Sequence, residues 1–125
     1  MTTTFDFGNG PVPAHRHANP DGSLGGWVAD TATVSPTAWV YGSARVSGNA
    51  RVYGNAEVFD NAQVHDTACV SGNARVYGNA VVSGNAVVSG NAVVFGDAKV
   101  FGNARVFGTA RVFGGALVSG DTVLN

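Results

Sequence analysis

Cysteine is nearly absent from this 125-residue chain, Cys69 being the only one. That excludes an internal disulfide and fits a reducing compartment. Charge is scarce too, at 12% of residues with a net of −1. Without a basic excess, neither a nucleic-acid polymer nor a membrane surface has electrostatic support as a partner. No apolar run approaches the length of a membrane span. The opening, MTTTFDFGNGPVP, lacks a charged n-region and an apolar h-region, so it does not read as a signal peptide. A cytoplasmic location is the expectation. The three histidines, His15, His17 and His65, do not fall in a metal-ligand spacing, so neither a metal nor another cofactor is expected.

What the chain does have is a period. Valine recurs every six residues from Val28 to Val118, sixteen times without an insertion. Alanine stands four residues after nearly every valine, from Ala32 to Ala116, with Thr122 in the last place. Between them lie Gly-Asn, Gly-Asp, Asp-Asn or Pro-Thr. Each unit therefore reads Ala-x-Val-x plus two turn residues. In an extended segment Ala and Val point to one side and the x residues to the other. Gly-Asn tolerates the positive φ of a sharp corner. So short a strand cannot stand alone and must stack on copies of itself. A helix at 3.6 residues per turn would carry the valines off one face. A ladder of hairpins would need a primed turn after every strand. Three hexads per 18-residue coil, with coils about 4.8 Å apart in parallel register, satisfy the pattern.

The phrase VSGNARVYGNAV, and the match from Val28 to Val123, resemble the hexapeptide-repeat, left-handed parallel β-helix family. The style is the Gly-Asn-Ala one of bacterial and phage proteins. The resemblance implies an all-β fold: a triangular prism of a little over five coils, left-handed, usually assembled as a homotrimer. Residues 28–125 are then the prism and residues 1–27 an irregular N-terminal cap.

The 18-residue spacing sorts the outward residues onto three faces. On one, Tyr41, Phe59, Tyr77, Phe95 and Phe113 recur once per coil beside Trp39, forming a continuous aromatic ladder. So long an apolar stripe points to burial against neighbouring subunits. The simpler alternative is a self-stacking ladder that fixes a register the uniform Val/Ala core barely specifies. A second face is mixed and carries Cys69, read as a spectator because no base stands near it in sequence. On the third face, Trp27, Arg45 and Gln63 share one column and Ser47 and His65 the next. This is the richest cluster of hydrogen-bonding groups on the prism.

The first 27 residues break the rule. A solenoid end needs a cap, and Phe5, Phe7 and Val12 are candidates to cover the first coil. Pro11, Pro13 and Pro20 suggest an irregular path, and Asn19-Pro-Asp-Gly22 is a turn. His15 and His17, two apart on an extended segment, are expected to project to one side with Arg16 between them. With Trp27, Arg45, Gln63 and His65 they make a candidate site for a small anion, a phosphate-bearing base being suited to a guanidinium and a ring. Trimerisation would bring this segment over a neighbour and place the site between subunits.

Three function classes compete. A hexapeptide acyltransferase needs a positioned histidine base, usually by an extruded loop, and no loop interrupts Val28 to Val123. A hydratase of the γ-carbonic anhydrase kind needs three zinc-binding histidines, whose spacing is not met. The third class fits the regular prism: a non-catalytic oligomer, either a scaffold or phage-particle component, or a protein sequestering a small anionic ligand such as a signalling nucleotide.

Overall fold

The computed structural model describes residues 3–8 and 10–125. Among them there is no helix, and so none long and apolar enough to cross a membrane. From Thr33 onward every hexad contributes a two-residue strand, an outward residue followed by the core valine or its equivalent. Strands 18 residues apart pair in parallel, as Arg45 does with Gln63 and Arg75 with Val93. The result is a parallel β-solenoid of about five coils with three sheets, of eight, six and five strands. The hydrogen bonding runs beyond the two-residue strands. Arg75, Tyr77 and Asn79 each donate from the backbone to the next coil, to Ala92, Val94 and Gly96.

The interior is one column of valine and alanine, almost all of it fully buried from Ala38 to Val106. Each buried valine contributes roughly 1.5–3 kcal/mol of transfer free energy. Among the described residues the buried cluster holds only valine and alanine, with Leu124 packed against its C-terminal end, because the narrow space between the three faces suits small side chains. In the last coil Phe113, Leu117 and Val123 are exposed on the three faces.

The corners explain the turn residues. Gly84 sits at φ 63°, and a methyl group added there would lie 2.9 Å from the backbone nitrogen of Gly102 in the next coil. Asp60 and Asp66 occupy the same left-handed conformation with side chains, at φ 59° and 60°. They manage because the carboxylate accepts from the crowded amide: Gly78 donates to Asp60 at 3.3 Å and Gly84 to Asp66 at 2.9 Å. Beside the glycines run amide chains, Asn61 donating to Asn79 and Asn79 to Asp97.

The N-terminal segment is not irregular. Strands β1 (Thr4–Asp6), β2 (Pro11–Ala18) and β3 (Leu24–Ala29) form an antiparallel extension of the eight-stranded sheet, with Trp27 of β3 leading in parallel into Arg45. Pro11 and Pro13 are accommodated because β2 begins there, and Pro13 still contributes its carbonyl, accepting from Asp30. Nor do Phe5, Phe7 and Val12 plug the end of the prism. Phe5 stacks on Trp27 with centroids 4.9 Å apart, so the β1–β2 hairpin curls over the outward side of this face. Asp6 shapes its turn by accepting from Gly8 and Gly10.

The end is closed elsewhere. Gly25 and Gly26 of β3 lie against the first coil so tightly that an added methyl group would meet Val40 O at 1.6 Å and Ala44 O at 2.2 Å.

Candidate functional site

The curl of the hairpin makes a groove. Phe7, Gly10 and Val12 form one wall; Arg45, Ser47, Gly48, Gln63, His65 and Asp66 form the other. In a flat sheet, β2 and the strand of Gln63 would stand roughly 14 Å apart, three strand spacings. The return of the hairpin over the face brings them to one cavity of about 280 Å³, the size of a small ligand's site.

Arg45, Gln63 and His65 come together as the 18-residue spacing requires. Arg45 and Gln63 are directly paired in register, and Ser47 and His65 follow two residues on. The Arg45 guanidinium lies 5.2 Å from the centroid of the Phe5 ring, a cation–π contact. Among the described residues Arg45 makes no ion pair, whereas Arg75 is paired with Glu57 at 3.2 Å. His65 Nδ1 is 3.3 Å from Asp66 Oδ1. The amide of Gly84, then the His65 side chain, hold the Asp66 carboxyl below its ordinary pKa. Asp66 is thus committed to a backbone amide and an imidazole. The groove thus carries one guanidinium unpaired among the described residues, Arg45, and one carboxylate engaged by protein donors, Asp66, with a ring nitrogen from His65 and polar groups from Gln63 and Ser47.

The other four candidates are placed differently. Register in β2 shifts between Arg16 and Ala18, a bulge that ends the simple alternation. His15 and His17 consequently do not share an environment. His15 is half-exposed, with Nδ1 2.8 Å from Asp30 Oδ1. His17 is 5% exposed, and its Nε2 donates to Ala38 O at 2.7 Å. Arg16 donates to the Gly25 carbonyl at 2.9 Å and the Leu24 carbonyl at 3.3 Å, tying β2 to β3. Trp27 is stacked under Phe5 and does not line the groove. These side chains build the cap: His15, Arg16 and His17 each bond to protein groups there, and Trp27 stacks under Phe5.

The aromatic ladder is present as the period dictates. Successive centroids from Tyr41 through Phe59, Tyr77 and Phe95 to Phe113 are 4.8, 4.8, 5.2 and 5.5 Å apart, with planes within 15°. The coil spacing sets the distance, so the rings stack within one chain. Trp39 stands aside, edge to face with Tyr41 at 6.1 Å and 82°. Cys69 is a half-buried free thiol whose sulfur lies 3.8 Å from Thr67 O.

The model of the YdcK β-solenoid repeat family matches residues 44–56, 50–66 and 68–84. The first two segments include Arg45, Gln63 and His65. The chain is a β-solenoid repeat protein, similar over these stretches to that family. No curated protein and no solved structure matches it.

Proposed function

We propose that this β-solenoid is a non-catalytic binding protein whose groove, between the β1–β2 hairpin and the first coils, takes a small anionic ligand. The observation that carries the reading is Arg45, a guanidinium without a carboxylate partner among the described residues, held over the Phe5 ring at the mouth of a polar groove. A planar fork of this kind suits a phosphate or carboxylate. Phe7 and Val12 supply an apolar wall opposite, which favours a ligand with a flat apolar part, such as a mononucleotide, over a bare inorganic ion. The groove lies within one chain, so this reading holds for a monomer as well as for a homotrimer. The strict six-residue period supports assignment to the left-handed hexapeptide class, in which a trimer would be the expected assembly.

A thermal-shift panel tests it with adenosine 5′-monophosphate, cyclic AMP, acetyl-CoA, inorganic phosphate and zinc chloride. A nucleotide is expected to raise Tm by mass action. Arg45→Ala and His65→Ala are expected to abolish the rise. A shift that survives both substitutions overturns the choice of site.

A second reading is a scaffold, favoured by the ladder of five stacked rings, whose contribution to register needs no ligand. No shift with any member of the panel supports it. Sedimentation shows whether the chain assembles as a trimer, and Tyr77→Glu, which puts a charge on the ladder face, is expected to dissociate it if that face is the interface.

A further inference from the structure

The aromatic ladder has an open end. Phe59 covers one face of Tyr41 at 4.8 Å with planes 1° apart. Among the described residues the only other ring beside Tyr41 is Trp39, which stands at right angles to it. Two aromatic walls therefore meet at a corner. Asp21 and Ser23, from the turn between β2 and β3, and Glu57 complete a notch of about 380 Å³. It is separate from the anionic-ligand groove and shares no residue with it.

The charges in the notch are of one sign. Asp21 is fixed by the Ser23 hydroxyl at 2.6 Å and the Ser23 amide at 2.9 Å. Those two bonds keep its carboxyl more acidic than usual, so it is ionised at neutral pH. Glu57 accepts from the Tyr41 hydroxyl at 3.5 Å. Desolvation, then the nearby Glu57 charge, push the phenol's pKa up, which keeps Tyr41 a neutral donor. Arg75 offsets one of the two carboxylates. An anion is disfavoured here, and the oxygen ligands are too few for a hard divalent metal. Ring faces carry the negative lobe of the aromatic quadrupole and attract weakly hydrated cations.

We propose that this notch binds a small organic cation bearing a methylated ammonium group, seated against Trp39 and Tyr41 with Asp21 and Glu57 as counter-charges. The methyl groups cover the two ring walls while the positive charge is shared between rings and carboxylates. A neutral isostere would fill the same space without that attraction.

The test uses a Trp27→Phe variant, which leaves Trp39 as the only tryptophan. Choline is titrated against Trp39 fluorescence, beside its uncharged isostere 3,3-dimethylbutan-1-ol. A saturable response to choline is expected, at least about fivefold tighter than to the alcohol, the size of an ordinary cation–π term. Tyr41→Leu is expected to remove most of the affinity and Tyr41→Phe to keep it. Asp21→Asn, at a solvent-exposed side chain outside the core, is expected to weaken binding with at most a small fall in Tm from the altered bonds to Ser23. Nε-trimethyl-lysine amide distinguishes a methylated side chain from free choline as the source of the group, by which of them binds tighter. The proposal is overturned if choline gives no saturable response, if the alcohol binds as tightly, or if Asp21→Asn and Tyr41→Leu both leave the affinity unchanged.

Discussion

The imidazole of His17 donates to the carbonyl of Ala38 at 2.7 Å, and the Asn19 side chain accepts from the amide of Val40 at 2.9 Å. Trp39–Val40 is the terminal strand of the five-stranded sheet, with no strand on its N-terminal side. Two side chains from the cap therefore take the place of the missing ladder. Leaving a buried backbone group without a partner costs about 1–3 kcal/mol. His17→Ala and Asn19→Ala are each predicted to destabilise by about that much in urea unfolding. Faster exchange of the Val40 amide is expected in Asn19→Ala. Unchanged stability in both would show that water replaces these bonds and that the cap is dispensable.

The corners give a graded prediction. Gly84→Ala combines a left-handed φ with a methyl group 2.9 Å from Gly102 N, and is predicted to cost about 1–3 kcal/mol. Gly84→Asp is predicted to cost less, because its carboxylate can accept from Gly102 as Asp66 accepts from Gly84. Equal melting temperatures for the two variants would refute the hydrogen-bond account of Asp60 and Asp66.

Asp66 predicts a pH signature. Its carboxyl is more acidic folded than its ordinary value of 3.8. A depressed pKa stabilises the fold above the unfolded value, and that contribution is lost as pH falls through the folded one. Wild type should melt above Asp66→Asn at neutral pH, and the gap should close as pH drops below about 3.8. The side chain is more than half exposed, so the gap is modest. A gap that does not vary with pH would assign the stabilisation to the neutral hydrogen bond alone.

The ladder is testable at its middle. Tyr77 stacks on Phe59 and Phe95. Tyr77→Ala is predicted to lose about 1–3 kcal/mol, two stacking contacts, and Tyr77→Phe almost nothing. Differential scanning calorimetry decides it; an unchanged melt in Tyr77→Ala would leave the rings free for a partner alone.

The prism was legible residue by residue because a six-residue period leaves no freedom: once Val28 faces inward, Arg45, Gln63 and Tyr77 are assigned to their faces. The columns Trp27–Arg45–Gln63 and Tyr41–Phe113 followed from that arithmetic. The cap was not legible by the same route. His15 and His17 looked equivalent until the bulge after Arg16 separated them. The need for His17 at Ala38 arises from a bare strand end that only the three-dimensional stacking exposes. Gly25 and Gly26 are the one sequence signal of the closed end, a glycine pair away from any corner, where backbone passes close to backbone. Phe7 and Val12 joined the groove only through the return of the hairpin, and Asp66 entered through its contact with His65.

Isothermal titration of adenosine 5′-monophosphate into wild type, Arg45→Ala and His65→Ala tests the central claim most directly. The account predicts a saturable, salt-weakened heat with wild type and at least about a tenfold loss in Arg45→Ala, the scale of one charge-assisted hydrogen bond. No saturable heat with wild type, or equal affinity in Arg45→Ala, would contradict it.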